Sequence, residues 1–365
     1  MKIAIDCRMI GSGGIGTFVH ELIPYFLENN ECLLIGKHEQ CMDFVRLQNV
    51  EFCFCEVETF SIKEMFFFPD EVVQKINSCD VYFSPYCNIP GGITIPIFST
   101  IHDVVFLDVE GLTGKFGRLT RKFIYQRAIN KSKMLFTVSE FSKERIEKNL
   151  TCNKNISIIY NSAPVYLTKI DEKENEIEAE NSKLIETAKK SILFVGNIKK
   201  HKGLKTLLKA FNLLKENNSD SKLLIVGNKD NFRTEDEETT QFLAEMQNED
   251  IIFTGKISDL VLKSLYKNAK VLVQPSLYEG FGIPPLEAMT MGTVAIISDI
   301  EVFKEIYCEF PVIYFKAGDE NDLSKKLSDF LKEPKKIELS DNLKEKYSYK
   351  KSAQIILEQM KLHLK

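Results

Sequence analysis

The sequence predicts an α/β chain of two parallel-sheet domains, and three observations carry that prediction. Short apolar runs alternate with helical periodicity through most of the chain, each run ends on a small or polar residue, and a charged stretch near the middle separates two such series. Strand, polar turn and helix in repetition is the pattern of parallel sheets with right-handed crossovers.

The first series reads KIAID (2–6), a second strand ending CLLIGKHE, VYFSP (81–85), PIFSTIHD (96–103), MLFTVS (134–139) and ISIIYNS (156–162). The second reads ILFVGN (192–197), KLLIVGN (222–228), IIFTGK (251–256), VLVQPS (271–276) and VAIISD (294–299). Nearly continuous apolar runs of this length suit strands buried on both faces. Helical periodicity falls between them, clearest in TFVHELIPYFLEN (17–29) and LKTLLKAFNLLKEN (204–217). Residues 169–190 are almost purely charged and polar and read as a linker plus a solvated helix. The expected division is therefore an N-terminal domain over 1–168, the charged segment 169–190, a C-terminal domain over 191–345 and a final helix over 346–365. Residues 228–250 read as an acidic surface excursion. In the final helix Ala353, Ile356, Leu357, Met360 and Leu364 share one face.

Composition narrows the function. Of 365 residues, 44% are hydrophobic and 27% charged, which is a soluble globular composition. With 48 basic and 52 acidic residues the net charge is −4, which argues against nucleic acid as a partner. Asp6 and Arg8 interrupt the first apolar run, so no signal peptide is read there, and no run reaches the roughly 18 residues that span a bilayer. Nine cysteines without a Cys-x-x-Cys pair or zinc spacing read as reduced thiols of a cytoplasmic protein. Cys53 and Cys55 fall on one face of a strand. No metal site is expected.

In open parallel sheets ligands bind beyond the carboxyl ends of the strands, so the loops there hold the candidate residues. Gly11-Ser12-Gly13-Gly14-Ile15-Gly16 matches the dinucleotide pattern G-x-G-x-x-G only formally. Cys7 to Ile10 intervene after the strand, and the second strand ends in Gly36-Lys37 where an acidic ribose ligand belongs. A dehydrogenase is therefore disfavoured. The loop reads either as a plain turn or as an anion-binding helix start.

The segment Pro275-Ser276-Leu277-Tyr278-Glu279-Gly280-Phe281-Gly282-Ile283-Pro284-Pro285-Leu286-Glu287 is more informative. A strand ends, a glycine loop follows, and Pro285 suits the first turn of a helix. This places Glu279 in the loop, Glu287 on the helix and a helix N-terminus between them, a set that fits a diphosphate flanked by hydroxyl-rich sugars. The bland reading is a structural strand-loop-helix. The third element, Gly196-Asn197-Ile198-Lys199-Lys200-His201-Lys202-Gly203, clusters three lysines and a histidine at a helix start. It reads as a phosphate-neutralising turn or as a solvated basic turn.

Together the Glu279-x7-Glu287 spacing, the Glu-Gly-Phe-Gly around Glu279 and the lysine turn resemble the GT-B retaining glycosyltransferases of family 4, the bacterial mannosyltransferase-like group 1 enzymes. IAIDCRMIGSGGIGTFVHELIP near the start, IHDVVFL at 101–107 and TVSEFSKERI at 137–146 resemble that family too, so the likeness runs from residue 1 to about 330. The resemblance implies two Rossmann-like parallel-sheet domains facing a central cleft, with the last helix packed back on the first domain. It implies that Glu279 bonds hydroxyls of the donor sugar, that Phe281 and Gly282 offer backbone amides, and that Glu287 holds the ribose. It places Lys202 on the diphosphate and Gly14 and Gly16 beside it. His102 would lie by the sugar and acceptor; otherwise it reads as a structural hydrogen-bond donor. Asn197 stands where the family carries a second basic residue, which leaves Lys199 or Lys200 as replacements. His102, Glu279 and Lys202 are thus the candidate catalytic residues, acting without a metal or other cofactor. Glu279 and Glu287 are not a glycosidase acid and nucleophile, because that pair must flank one bond.

The implied reaction moves a hexosyl or deoxyhexosyl group, GDP-mannose being the first donor considered, to a glycan or lipid-linked acceptor in surface polysaccharide or lipopolysaccharide synthesis. A nucleotide-sugar epimerase and a non-catalytic nucleotide-binding protein remain as alternatives. On the acceptor side, Met65-Phe66-Phe67-Phe68-Pro69 and the basic stretch Lys115–Lys133, with Arg118, Arg121, Lys122, Arg127 and Lys131, read either as peripheral contact with the inner face of a membrane or as core packing and a solvated face.

Overall fold

The computed structural model describes residues 1–170, 174–216, 219–227, 239, 241–243 and 249–364. It divides into two compact units, Met1–Asn161 with Lys346–Lys365, and Ser162–Glu345.

Among the described residues the first unit holds seven strands: β1 (Lys2–Asp6), β2 (Glu31–Gly36), β3 (Val50–Phe54), β4 (Val81–Ser84), β5 (Ile97–Thr100), β6 (Met134–Thr137) and β7 (Ile156–Ile158). They pair in the order β3-β2-β1-β4-β5-β6-β7, every pair parallel. Alternate residues of β1 serve opposite cores, as the two-residue period of a strand requires. Ile3 and Ile5 pack with Phe18, Leu22 and Phe26 of the helix Gly13–Leu27. Ala4 joins a second core with Ile124, Tyr125 and Ala128 of the helix Lys115–Lys131. The helix Tyr349–Leu364 belongs to this unit. Its Tyr349, Ala353, Ile356 and Met360 are buried in the first of these cores, and Ser352 Oγ donates to Tyr160 O at 2.6 Å. Leu364, the last member of the expected apolar face, is exposed instead.

Among the described residues the second unit holds six strands: β8 (Ser191–Val195), β9 (Lys222–Val226), β10 (Ile251–Gly255), β11 (Val271–Gln274), β12 (Ala295–Ser298) and β13 (Ile313–Phe315). Their order is β10-β9-β8-β11-β12-β13, again all parallel. β13 is absent from the sequence reading, since three residues are too short a run to stand out.

Two expectations need adjusting. The first helix begins at Gly13, not Thr17, because positive φ at Gly11 and Gly13 (+83° and +61°) turns the chain directly into it. The segment 169–190 is not a connection between the units. The chain leaves the first unit at Asn161, and the helices Glu174–Glu180 and Ser182–Ala188 lie within the second. Lys263, only 5% exposed, explains this placement: its Nζ donates to Glu174 Oε2 at 2.9 Å and to Lys169 O at 2.7 Å. Ser264 Oγ adds a bond to Glu178 Oε1 at 2.9 Å. A segment that looks solvated is thus fastened by its charges. The acidic excursion expected over 228–250 lies largely outside the described residues. All nine cysteines are free thiols, and no described helix is long and apolar enough to cross a membrane.

Candidate active site

In the second unit the strand order reverses at β8, whose neighbours are β9 on one side and β11 on the other. At such a switch point the loops following the two central strands leave the same edge of the sheet and diverge, opening a crevice. Here those loops are the lysine turn after β8 and the glutamate loop after β11. They are stitched together: Leu277 N donates to His201 O at 2.7 Å. Gly203 has φ +69°, and a Cβ there would lie 1.9 Å from Pro275 O. Gly203→Ala is therefore expected to lower stability by about 2 kcal/mol from the left-handed backbone alone, and to push the two loops apart. Urea unfolding together with nucleotide affinity checks this, and an alanine variant equal to wild type in both would rule it out.

The stitching brings Lys202 onto Glu279. Lys202 Nζ lies 2.8 Å from Oε1 and 2.7 Å from Oε2. Glu279 is 7% exposed. Ser276 Oγ donates to its Oε1 at 2.7 Å, and Gln274 Nε2 reaches the same oxygen at 3.3 Å and Ser276 Oγ at 2.9 Å. Burial pushes the carboxyl pKa up, but the Lys202 charge and the bonds from Lys202 and Ser276 outweigh it and hold Glu279 below its ordinary value. Beside it His201 is pushed down to about 4 by burial and by the Lys202 and Lys199 charges, against the pull of Glu279. It is neutral at physiological pH, and its buried Nδ1 makes no hydrogen bond.

Glu287 stands apart with its own partner. It is buried on the helix Ile283–Thr290, which starts after Gly282 and carries Pro284 and Pro285 in its first turn. Gly282 has φ +85°, and a Cβ there would meet the Phe303 ring at 2.4 Å. Tyr307 Oη donates to Gly282 O, which fixes the helix start. Phe281, beside it, is buried. Tyr266 Oη donates to Glu287 Oε2 at 2.5 Å. Burial nonetheless lifts the Glu287 pKa to about 7, with Asp259 adding to the rise and the tyrosine bond opposing it. The two glutamates thus carry opposite shifts because one has a cation and the other does not. Asn197 is exposed at the head of the lysine turn, and so is Lys200.

In the first unit the order reverses at β1, which lies between β2 and β4. Gly14 is exposed near the N-terminus of the helix Gly13–Leu27. Gly16 is buried, and a Cβ there would sit 2.2 Å from Met9 O, so its smallness lets the preceding loop fold onto the helix. His102, following β5, is half-buried. Its Nε2 lies 2.9 Å from Pro85 O, and its ring meets Phe18 edge-on at 4.9 Å between centroids. A carbonyl only accepts, so Nε2 carries the proton and Nδ1 presents a lone pair. Desolvation lowers the ring's pKa to about 4 against the pull of the Pro85 bond, so His102 is a neutral acceptor at pH 7.

Several residues that shape these sites escape the sequence reading. Ser276 and Gln274 hold Glu279, and Tyr266 holds Glu287. In the first unit Arg8 is buried between two carboxylates, with Nη2 at 2.6 Å from both Asp6 Oδ2 and Glu64 Oε1, and it also donates to Tyr86 Oη at 2.8 Å. Asn88 Nδ2 donates to Glu64 Oε2 and Tyr82 Oη to Asp6 Oδ2, at 2.8 Å for the latter, so this network anchors the loop after β1. The available signal was Asp6 and Arg8 two apart at a strand end, which puts both on one face.

Residues 175–350 match the family described as Glycosyl transferases group 1. The chain carries a group 1 glycosyltransferase domain. Lys202, Glu279 and Glu287 all fall within the group 1 domain. The O-antigen chain mannosyltransferase RfbU of Salmonella typhimurium is 30% identical over 243 residues, 64% of this chain and 61% of RfbU, so the chain spans about three-fifths of that relative's length. Among solved structures, sucrose-phosphate synthase of Thermosynechococcus elongatus is similar at a TM-score of 0.70 and 15% identity, over 99% of this chain and 94% of that one. HepE of Anabaena in complex with UDP-glucose is similar at a TM-score of 0.67 and 14% identity, over 99% and 95%. At these identities the likeness is one of fold: the group 1 domain is the second Rossmann-like unit of a GT-B chain.

Proposed function

We propose that the chain is a retaining glycosyltransferase that takes a hexosyl or deoxyhexosyl group from a nucleoside diphosphate sugar and passes it to a glycan or lipid-linked acceptor in surface polysaccharide or lipopolysaccharide synthesis. The observation that carries this is the partly buried Lys202–Glu279 ion pair at the switch point of the group 1 domain. In the proposal the bond from the anomeric carbon to the diphosphate breaks, its electron pair leaves with the diphosphate, and Lys202 neutralises the charge that develops. An acceptor hydroxyl oxygen bonds to the anomeric carbon and gives up its proton to the departing diphosphate oxygen. Glu279 accepts from hydroxyls of the donor sugar, and its support by Ser276 and Gln274 keeps it aimed before substrate arrives. Glu287 accepts from the ribose, Phe281 and Gly282 contribute backbone, and Gly14 and Gly16 border the diphosphate. His102 accepts a hydroxyl hydrogen bond at Nδ1. Lys199 or Lys200 serves in place of a basic residue at Asn197.

GDP-mannose is the first donor to test, since RfbU is named a mannosyltransferase. UDP-glucose is the second, since HepE was solved with it. The reaction is proposed to need no metal and to take place on the cytoplasmic side of a membrane. The test is a panel of GDP-, UDP-, dTDP- and ADP-sugars with EDTA present, read by thermal shift and nucleotide release. One nucleotide class is expected to stabilise the protein and to release nucleotide slowly without acceptor. Retention is read from the anomeric signals of the product. A free sugar isomer in place of slow hydrolysis would instead support an epimerase, and folded protein that responds to no nucleotide sugar would end the proposal.

A further inference from the structure

We propose that Phe60 sets the choice of acceptor: its exposed ring is a platform on which one pyranose ring of the acceptor glycan stacks. This deepens the glycosyltransferase reading and rests on it for the sugar's role as acceptor, while the stacking itself is measured without turnover.

Among the described residues Phe60 is the one residue other than glycine with positive φ, at +60°. There the Cβ crowds the backbone, and a bulky side chain is an outlier. Packing alone does not repay it: the ring is 41% exposed, and glycine would take this φ freely. The conformation is imposed from the buried side. Phe60 N donates to Glu64 Oε2 at 2.8 Å. Glu64 is fully buried and is gripped by Arg8 Nη2 at 2.6 Å, by Tyr86 Oη and by Asn88 Nδ2. Arg8 also donates through Nη1 to Val57 O at 3.1 Å, and Ser61 Oγ donates to Glu58 O at 2.7 Å, so the turn is tied on both sides of Phe60. A buried ionic network that holds one outward ring in a strained backbone is a feature of ligand sites rather than of cores.

Its place in the sheet fits a ligand. Phe60 lies in the loop that follows β3 and Tyr86 in the loop that follows β4, at the carboxyl edge where parallel sheets bind ligands. The Phe60 ring leans on Tyr86, with centroids 5.2 Å apart and planes at 52°. Tyr86 is fully buried and accepts from Arg8 Nη2 at 2.8 Å, which makes it a rigid support. Two features then define the ligand. An aromatic face is apolar and carries negative charge density, which suits the C–H groups that a pyranose presents on one face. Beside it, Asn88 gives its Nδ2 to the same Glu64 oxygen that holds Phe60 N, and its buried Oδ1 has no hydrogen-bond partner. An unmet acceptor close to an aromatic face calls for a ligand with hydroxyl donors and an apolar flank, and a sugar brings both. A nucleobase would stack as well, but the nucleotide is assigned to the second unit through Glu287.

The chain has no tryptophan, so Phe60→Trp places the only indole on the platform. Its emission is titrated with methyl glycosides of mannose, glucose, galactose, N-acetylglucosamine and rhamnose, and with GMP and UMP as controls. A saturable change is expected with at least one glycoside and with neither nucleotide. That glycoside is then used as acceptor with the donor that supports nucleotide release. Phe60→Leu is expected to raise its KM about five- to tenfold and to change kcat far less, and Phe60→Tyr to restore the KM. Phe60→Gly relieves the backbone, so its Tm is expected to rise by roughly 2–4 °C while its KM stays as poor as that of Phe60→Leu. A purely structural Phe60 cannot give that combination. No response to any glycoside, a response to GMP or UMP in their place, or a wild-type KM in Phe60→Leu would each overturn the proposal. Saturable stacking in a protein that turns over no nucleotide sugar would uphold the platform and end the glycosyltransferase reading.

Discussion

Lys202→Ala is expected to lower kcat by about 10²–10³-fold, the usual cost of losing one fixed donor to a developing negative charge. It also strands a buried carboxylate. Glu279 then keeps Ser276 and Gln274 but loses its cation, and burial alone drives its pKa upward. At pH 7 the variant is expected to lose about 1.5–3 kcal/mol of stability, the scale of a hydrogen bond to a charged group. The sign with pH follows. In the wild type Glu279 has a depressed pKa, so its contribution is present above the ordinary carboxylate range and fades as the pH falls through the folded value. The deficit of Lys202→Ala therefore shrinks on acidification, because a neutral Glu279 needs no cation. Urea unfolding at neutral and acid pH reads this directly, and a pH-independent deficit would remove the electrostatic account. Lys202→Arg separates charge from shape: it keeps the charge but replaces a compact ammonium with a planar fork, and partial recovery of stability with poor recovery of turnover is expected.

Glu287→Gln is expected to make the fold more stable and nucleotide binding worse. Burial raises the Glu287 pKa to about 7 from an ordinary 4.5, so the folded chain holds this proton more tightly than the unfolded chain does. Stability therefore falls as the pH climbs from about 4.5 to 7 and is lower by about 3 kcal/mol above that window. Glutamine does not titrate, and it still accepts from Tyr266. The gain of Glu287→Gln should be close to zero near pH 4.5, grow through the window and level off above pH 7. Donor affinity of the wild type should rise over the same window, since a charged carboxylate is the better acceptor for ribose hydroxyls. Loss of stability in Glu287→Gln at pH 8, or unchanged nucleotide affinity, would contradict the assignment. A carboxylate kept where it weakens the fold is what a binding site looks like in the energy of folding.

The architecture was legible because buried parallel strands leave apolar runs that need no partner to be recognised. β13 was not, being three residues long. The charged segment 169–190 misled because its fastening comes from Lys263 and Ser264, far along the chain, and composition says nothing about such partners. The same limit governs the sites. Glu279, Glu287 and Lys202 stood out from local spacing, but Tyr266 reaches Glu287 across the fold. That is why opposite protonation of the two glutamates could not be read from their neighbours in sequence. Gln274 and Ser276 were in plain view; their roles appear only when β11 sets their side chains towards the loop that follows.

The helix Tyr349–Leu364 closes a core begun by β1, with the whole second unit inserted between. A ribosome must therefore make residues 162–345 before Ala353, Ile356 and Met360 exist to cover Phe18 and Leu22. At about 5–20 residues per second this takes roughly 10–40 s. Through that interval the nascent first unit presents an uncovered apolar seam, and the last described strand of the second unit, Ile313–Phe315, is made before that seam can close. Vectorial synthesis thus inverts the order in the gene: the half that emerges first is the last to finish folding, and it is the half for which chaperone capture during translation matters.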